Sequence, residues 1–259
     1  MSEEYLDFIA KVREKSGIDL SSYKEAQMKR RLTSLRDKRG FTSFRDYFLA
    51  INRDKLLFEE FMDRLTINVS GFYRNSKRWE VLKDEVIPHL LRSRTKLSIW
   101  SAACSSGEEP YSVALLMKEH FPTVDFQVMA TDIDSTILQK AERGIYRGES
   151  LKELPENLKL KYFRMQNGLY YINETVKNHI NYKRHNLLAD RYPRNVDLII
   201  CRNVLIYFTD QAKNEIYHRF SESLRSDGVL FVGSTEQIFT PNNYNLSLVD
   251  TFFYRKTSL

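Results

Sequence analysis

The chain has 259 residues, of which 42% are hydrophobic and 13% aromatic, a composition that indicates a folded protein with a sizeable core and excludes a disordered one. Its net charge of +6 and sequence pI ≈ 9.1 favour an acidic partner, whether nucleic acid, an anionic membrane or an acidic protein. No apolar run approaches the roughly 18 residues of a membrane-spanning helix and the N-terminal segment has no signal-peptide pattern, so we expect a cytoplasmic protein that is not inserted in a membrane.

The first part of the chain, to about residue 65, shows apolar residues at helical spacing only. They fall into four segments: Tyr5, Phe8, Ile9 and Val12; Met28, Leu32 and Leu35; Phe44, Tyr47, Phe48 and Ile51; and Leu57, Phe61, Met62 and Leu65. A turn-rich segment over 66–75 follows them. We therefore predict a small all-helical domain that, with its linker, spans residues 1–75.

The second of these predicted helices is unusually basic. Between Lys24 and Arg45 there are eight lysines and arginines, against only two acidic residues, Glu25 and Asp37. A solvated helix face is one explanation of this pattern, and a surface that binds an acidic partner is the other. The candidate binding residues are Lys24, Lys29, Arg30, Arg31, Arg36 and Lys38.

The rest of the chain, residues 76–259, predicts an α/β domain with a doubly wound sheet. In order, the pattern predicts a strand over 97–101, a helix over 110–120, a strand over 126–130, a helix over 135–143, a buried strand over 196–201, a helix over 210–226, a strand over 229–232 and a strand region over 246–255. Between 144 and 184 the alternation changes to short strands, near 160–163, 168–172 and 180–182, with a hairpin signal at 166–168. We predict that residues 144–184 form an antiparallel β subdomain inserted in the α/β domain.

The first strand–helix–strand unit of this domain carries the strongest functional signal. A turn of small residues over 102–107 follows the first strand, and the acidic residues Asp132 and Asp134 follow the second. Small residues let a ligand approach the backbone, and a carboxylate at a strand end can accept hydrogen bonds from both hydroxyls of a ribose. Glu108 and Glu109 at the start of the helix would repel a pyrophosphate, so the loop favours the cationic S-adenosylmethionine over NAD or ATP.

Each of these acidic residues also has a purely structural explanation. Glu108 and Glu109 complement the positive end of a helix. Either Asp132 or Asp134 could be the N-cap of the next helix. Asp134 directly precedes that helix and fits the role better, so we assign ribose binding to Asp132.

Polar residues also follow other predicted strands, at the edge of the sheet where ligands bind in this class of fold. They are His185 and Asn186 after the strand near 180–183, and Arg202, Asn203 and Tyr207 after the strand over 196–201. Asn203 as a turn residue and Tyr207 as a core aromatic are the alternatives. The two cysteines, Cys104 and Cys201, show no metal-ligand spacing with the five histidines, so we expect reduced core thiols and no metal site.

Four segments together resemble one known family. They are TINVSGFYRN, IWSAACSSGEEPYSVA, ATDIDSTILQKAERGIYR and CRNVLIYF, and YKEAQMKRRLTSLRDKRG and GSTEQIF add to the similarity. They resemble the chemotaxis receptor methyltransferases of the CheR type, most closely the Bacillus-type members, in the same order and with similar spacing. The similarity covers essentially the whole chain.

The resemblance implies a class I S-adenosylmethionine methyltransferase domain of Rossmann-like fold, a helical N-terminal domain that recognises the receptor, and an inserted antiparallel β subdomain. It implies methyl transfer to glutamate side chains of chemoreceptors, with S-adenosylhomocysteine as product and sensory adaptation as the purpose. The residues that match the family's donor site are Asn68, Ser70, Arg74, Glu108, Asp132, Asn186, Leu187, Arg202 and Asn203. Ser70 stands where relatives often have Thr, and the hydroxyl is kept.

Within this resemblance we expect Arg74 to orient a carboxylate and Tyr207 to place a hydroxyl near the transferred methyl group. The expected partners are the acidic, glutamate-rich helical bundles of transmembrane chemoreceptors, to which a monomer would be recruited at the membrane arrays. A nucleic-acid methyltransferase is a rival, although the strand end at 201–207 lacks the Asn/Asp-Pro-Pro-aromatic motif of amine-methylating enzymes. A non-catalytic sensor of S-adenosylmethionine is the second rival.

Overall fold

A computed structural model of the chain describes residues 3–66 and 70–257, and its two compact units do not follow the chain in simple order. One unit comprises Met1–Ile67 and Val204–Ile216, and the other comprises Asn68–Asn203 and Tyr217–Leu259. The sequence places the boundary near residue 75 and assigns 204–216 to the α/β domain. The structure divides the chain at residue 67 and places 204–216 with the N-terminal helices.

The first unit is all-helical in its N-terminal part, as the apolar spacing predicts. Its helices are α1 (Glu3–Ser16), α2 (Glu25–Lys38), α3 (Phe44–Arg53) and α4 (Lys55–Leu65). Side-chain caps explain where two of them begin: the Ser43 hydroxyl accepts from the backbone of Asp46 at α3, and Asp54 caps α4. Phe8 occupies the middle of the core, with ring centroids 4.9 Å from Phe44 and 6.2 Å from Phe61.

The returning segment 204–216 joins this unit through backbone pairing. Tyr23 and Phe208 form an antiparallel bridge, their rings lie 4.7 Å apart, and the backbone nitrogen of Lys24 donates to the carbonyl of Tyr207 at 2.9 Å. No local sequence pattern predicts this pairing, because its partners are nearly two hundred residues apart.

The second unit is built on a seven-stranded sheet. Its strands are β1 (Lys96–Ala102), β2 (Asp125–Asp132), β6 (Ile180–Arg184), β7 (Val196–Cys201), β8 (Leu224–Val232), β9 (Leu246–Asp250) and β10 (Phe253–Lys256). The order across the sheet is β6-β2-β1-β7-β8-β10-β9, in which β10 is antiparallel to both of its neighbours and the pairs from β6 to β8 are parallel. Both of these facts confirm the predicted α/β, Rossmann-like class.

Helices alternate with these strands. They are α5 (Ser76–Val81), a π-helical turn (Leu82–Val86), α6 (Ile87–Leu91), α7 (Glu108–His120), α8 (Ser135–Arg143) and α11 (Asp210–Ser223), of which residues 217–223 belong to this unit. Every residue of β7 is buried, including Asp197, the second residue of the strand. That carboxylate is tolerated because the Arg94 guanidinium lies 2.9 Å away and the backbone nitrogen of Ser98 donates to it at 2.7 Å.

A separate three-stranded antiparallel sheet lies between β2 and β6 in the chain. It contains β3 (Ile145–Arg147), β4 (Phe163–Gln166) and β5 (Leu169–Ile172), in the order β3-β5-β4, with the short helices α9 (Glu156–Tyr162) and α10 (Glu174–Lys177) beside it in sequence. The predicted hairpin is present: Asn167 and Gly168 both have positive φ, as a tight two-residue turn requires.

Two features of the predicted insertion differ in the structure. The segment near 160–163 is mostly helical, because α9 runs to Tyr162 before β4 begins. The strand near 180–182 belongs to the large sheet, where β6 pairs in parallel with β2 from Val128 to Asp132. An alternating pattern specifies a strand but not its partner, so the sequence assigned this strand to the wrong sheet.

Candidate active site

The candidate site lies at the carboxyl edge of the large sheet. The chain runs from β1 to β2 on one side and later places β7 on the other side of β1, so the gap between the loops after β1 and β7 is the topological switch point. Ligands of open α/β sheets bind at such a point. The register brings the strand ends level, since Ala102 of β1 pairs with Thr131, and Asp132 of β2 with Arg184.

The loop over 103–107 is tied to the end of β2. The backbone nitrogen of Cys104 donates to the carbonyl of Thr131 at 2.8 Å, and that of Ser105 donates to the Asp132 carboxylate at 2.9 Å. Ala103 and Ser105 both have positive φ, a conformation that costs energy for residues with a side chain. The loop is therefore held in one strained shape by its neighbours.

Asp132 is buried, and both of its carboxylate oxygens accept backbone hydrogen bonds. One accepts from Ser105 and the other from Asp134, at 3.1 Å. Burial raises the pKa of Asp132 to about 6, against the lowering effect of these backbone donors. Asp134 caps α8 by accepting from the backbone of Thr136 and Ile137, which confirms its predicted N-cap role.

The surroundings of this loop are electronegative. Burial raises the pKa of the Cys104 thiol well above its ordinary value, and the charges of Asp132, Glu109 and Glu108 raise it further. Three carboxylates thus act on one loop. This favours a ligand that carries positive charge there, such as a sulfonium or an ammonium group, and disfavours a phosphate.

Glu108 and Glu109 both lie in the first turn of α7, but they point to different partners. The Ser106 hydroxyl donates to the Glu108 carboxylate at 2.6 Å, and the Ser101 hydroxyl donates to Glu109 at 2.8 Å. Burial raises the pKa of Glu109 to about 7, although Arg202 opposes the rise. A guanidinium nitrogen of Arg202 lies 4.0 Å from that carboxylate.

Arg202 connects Glu109 to the segment that carries Arg74. Its guanidinium donates to the backbone carbonyl of Arg74 at 2.8 Å and to the side-chain oxygen of Asn75 at 3.2 Å. It also lies over the ring of Phe231, 4.7 Å from the centroid. The positive charge of Arg74 acts on this cluster too, since it lowers the pKa of Glu109 and of Arg202.

Asn203 is held by a carboxylate from a distant part of the chain. Glu236 is buried and accepts from the backbone nitrogens of Asn203 and Gly233, at 2.7 and 2.8 Å. A Cβ at Gly233 would lie 2.4 Å from that carboxylate, so only glycine fits. These contacts keep Asn203 at a φ of +62°, which agrees with its alternative interpretation as a turn residue. The turn it forms follows β7, at the switch point.

Asn186 and Leu187 follow β6. The Asn186 side chain accepts from the backbone of Leu188 at 2.9 Å, and the Leu187 carbonyl accepts from Tyr192 and Arg219 at 2.8 and 2.7 Å. These contacts fix a turn at the edge of the sheet. The structure thus places Asn186, Leu187, Asp132, Glu108, Arg202 and Asn203 on consecutive strand ends of one sheet.

The predicted site also includes Asn68, Ser70 and Tyr207. Asn68 lies outside the described residues, and Ser70 is half-buried at the start of the segment that contains Arg74. Tyr207 belongs to the helical unit, where its backbone carbonyl accepts from the nitrogen of Lys24, directly before the basic helix α2. Sequence reasoning gave no site role to Glu236 or Ser101, and it treated Glu109 only as a charge. The segment GSTEQIF was the available signal for Glu236.

The described residues contain no group of three His, Cys, Asp or Glu side chains arranged to hold a metal ion. Within the same part of the chain, no helix is both long and apolar enough to cross a membrane. Both cysteines are buried as free thiols.

A sheet of this order, with an acid-lined loop after β1 and a carboxylate after β2, defines an S-adenosylmethionine-dependent methyltransferase. Residues 68–253 match the family described as "CheR methyltransferase, SAM binding domain", and residues 3–66 match "CheR methyltransferase, all-alpha domain". The chain belongs to the CheR methyltransferase family. The predicted family, fold class, enzyme class and methyl donor are thereby confirmed.

Three relatives are similar over nearly the whole chain, and each is called a chemotaxis protein methyltransferase. The protein of Listeria innocua is 45% identical over 258 residues, which cover 99% of this chain and 98% of the relative. The protein of Listeria monocytogenes is 44% identical with the same coverage, and that of Borreliella burgdorferi is 35% identical over 93% of this chain and 89% of the relative.

We predict that binding of S-adenosylhomocysteine weakens as the pH falls below about 6. We expect a ribose hydroxyl to donate to the ionised carboxylate of Asp132, and the raised pKa of Asp132 places its protonation in this range. Titration calorimetry between pH 5 and 8 should show affinity falling by up to about tenfold per pH unit below 6. Asp132→Asn should bind weakly at pH 8 and lose that part of the pH dependence. A variant that keeps the full pH profile would show that another group is responsible.

Proposed function

We propose that this enzyme transfers a methyl group from S-adenosylmethionine to glutamate side-chain carboxylates of chemotaxis receptors, for sensory adaptation. The products are glutamate methyl esters and S-adenosylhomocysteine. The observation that carries the proposal is the acid-lined loop at the switch point, in a chain that is 45% identical over 99% of its length to a chemotaxis protein methyltransferase. The loop fits a cationic donor, and the relative's name indicates the class of acceptor.

Residues on the strand ends would hold the donor. Asp132 is the acceptor for the ribose hydroxyls, and Asn186 and Leu187 lie beside it on the neighbouring strand end. Glu108 and the rest of the electronegative loop would face the positive charge. Arg202, Asn203, Arg74, Ser70 and Asn68 complete the proposed donor site.

In this reaction the residues of the site mainly position the reacting groups, and proton transfer plays little part. S-adenosylmethionine supplies a methyl group already activated on a sulfonium, and a glutamate carboxylate with a pKa near 4.3 is ionised at neutral pH, so no general base is needed. The chain's task is to align the acceptor and to exclude water. Arg74 is suited to orienting a carboxylate because its charge already acts at the Glu109–Arg202 cluster. Tyr207 is proposed to place its hydroxyl near the transferred methyl group.

The first experiment that tests the proposed function is a label-release assay. The protein is incubated with methyl-labelled S-adenosylmethionine and receptor-containing membranes, and the product is then treated with mild alkali. We expect the label to be released as volatile methanol, because carboxyl methyl esters hydrolyse under these conditions. Label that survives alkali would indicate methylation of nitrogen or carbon. Absence of incorporation with donor binding intact would favour a non-catalytic sensor.

The roles of Arg74 and Tyr207 can be separated with the same assay. We expect Arg74→Ala to lower methyl transfer at saturating donor by at least about tenfold, since an orienting charge is lost. Tyr207→Phe should lower kcat while the affinity for S-adenosylhomocysteine is unchanged. Wild-type transfer by Arg74→Ala with unchanged donor affinity would exclude the orienting role. A fully active Tyr207→Phe would leave that side chain a packing role only.

The proposed receptor-binding surface is helix α2, and its six candidate cations differ in what they contact. Lys29 lies over the Tyr5 ring, Arg31 donates to the carbonyl of Arg64, and Arg36 lies over the Phe44 ring. These three therefore help to hold the helical unit together. Lys24, Arg30 and Lys38 are exposed, and they are the better candidates for contacting a partner.

A shallow pocket at the end of α2 supports an acidic partner. Its volume is about 130 Å³, and its charged lining residues are Lys38, Arg39, Arg64 and Glu60, with Leu35, Tyr47 and Phe61 as the rest of its wall. Arg39 pairs with Glu60, which leaves a net positive charge from Lys38 and Arg64. An acidic side chain of a helical receptor bundle would be attracted there. We propose that the enzyme acts as a monomer on the cytoplasmic, glutamate-rich bundles of receptor arrays.

We predict that the double variant Arg30→Glu, Lys38→Glu raises the KM for receptor by roughly tenfold at low salt, since two attractions become repulsions. The effect should shrink as ionic strength rises, because exposed charges are screened. The matched control is Arg53→Glu, Lys55→Glu, which changes the charge of the same unit equally at exposed positions on α3 and α4. Donor affinity should be unchanged in both. Equal effects of the two variants would show that only the net charge matters.

A further inference from the structure

The small antiparallel sheet reaches the proposed donor loop through one side chain. Tyr146, in the middle of β3, is buried, and its hydroxyl donates to the backbone carbonyl of Ser106 at 2.8 Å. Ser106 lies in the 103–107 loop, and its neighbour Ser105 is tied to Asp132. The loop is therefore held at two adjacent residues, one by β2 of the large sheet and one by β3 of the small sheet.

The contact between the loop and this tyrosine leaves no free space. Gly107 has a φ of +92°, and a Cβ there would lie 3.0 Å from the Tyr146 hydroxyl and 3.1 Å from that of Tyr182. The same Cβ would lie 2.8 Å from the Cβ of Ala141. The backbone of the loop thus rests directly on the tyrosine hydroxyls, and their position determines where the loop lies.

The ring of Tyr146 supports a second part of the proposed site. It meets the ring of Phe72 edge to face at 4.8 Å, and Phe72 also packs on Phe163 of β4 at 5.3 Å. The backbone nitrogen of Phe72 donates to the carbonyl of Ser150 at 2.9 Å. Phe72 lies two residues before Arg74. The same tyrosine therefore supports the donor loop with its hydroxyl and the Arg74 segment with its ring.

We propose that Tyr146 is a positioning residue for the methyl donor, whose hydroxyl holds the 103–107 loop in its donor-binding shape. The proposal rests on the proposed function, because it takes this loop to be part of the donor site. Through this residue the small sheet contributes to donor binding at the edge of the large sheet. The tyrosine acts through Ser106 and has no role as an acid or base.

The hydrogen bond does not depend on pH over the working range. Burial raises the pKa of the Tyr146 hydroxyl well above its ordinary value near 10, and the charge of Glu108 adds to the rise. The hydroxyl therefore stays protonated and continues to donate. Any loss of donor affinity at low pH belongs to other groups, and Asp132 is the first of them.

Tyr146→Phe tests the hydroxyl while keeping the ring that packs on Phe72. We expect the dissociation constant for S-adenosylhomocysteine and the KM for S-adenosylmethionine to rise roughly three- to tenfold, the worth of one hydrogen bond. The kcat at saturating donor and the KM for receptor should change less than about twofold, because the bound geometry is recovered once the donor occupies the loop. Amide hydrogen exchange in the 103–107 loop should be faster in the variant.

Tyr171→Phe is the matched control, since it removes a hydroxyl from β5 of the same sheet at a half-buried position. It should leave all of these quantities at wild-type values. Equal donor affinity of wild type and Tyr146→Phe would overturn the proposal. An effect spread equally over kcat, both KM values and the control variant would also overturn it and indicate general destabilisation. If the wild-type protein itself fails to bind S-adenosylhomocysteine, the proposed function is overturned together with this proposal. If only the effect of Tyr146→Phe is missing, this proposal alone is overturned.

Discussion

The cost of keeping carboxylates at the carboxyl edge of the sheet shapes most of the second unit. Asp132, Glu108 and Glu109 surround one loop, and water would stabilise the ionised form of each carboxylate better than a protein interior does. The chain offsets this with backbone nitrogens at Asp132, a serine hydroxyl at each glutamate, and Arg202 near Glu109. The raised pKa values of Asp132 and Glu109 show that the compensation is incomplete.

Incomplete compensation is useful for a site that takes a cationic ligand. Residual negative potential favours the sulfonium and ammonium groups of the donor, and it is relieved when they arrive. A site that neutralised its own charges fully would lose this attraction. Arg202 and Arg74 add positive charge beside Glu109, so the site holds both signs of charge close together.

Much of this arrangement could be predicted from local sequence. The β1-α7-β2 unit follows from apolar periodicity, in which Glu108 is the first residue of α7 and Asp132 is the last residue of β2. Asp134 could be assigned as a cap because its position before α8 decides its hydrogen bonds. Such features depend on neighbours within a few residues, and one sequence contains that information.

The features that escaped prediction all depend on contacts between distant parts of the chain. The strand over 180–184 has the same alternation whether it pairs with β2 or with the small sheet. Glu236 reaches Asn203 across 33 residues, and Tyr146 reaches Ser106 across 40. No local pattern marks these partners, because the residue types involved also occur in ordinary cores and turns.

Because residues 204–216 belong with the N-terminal helices, a cut after residue 67 does not separate the two units cleanly. A shortened chain that began after residue 67 would keep Phe208 but lose Tyr23, its bridge partner, and would leave the backbone of Tyr207 without Lys24. Loss of methyl transfer by such a truncation would therefore not by itself locate receptor recognition in the helices. A chimera that exchanges the helical unit with that of a relative has to carry residues 204–216 along with residues 1–67.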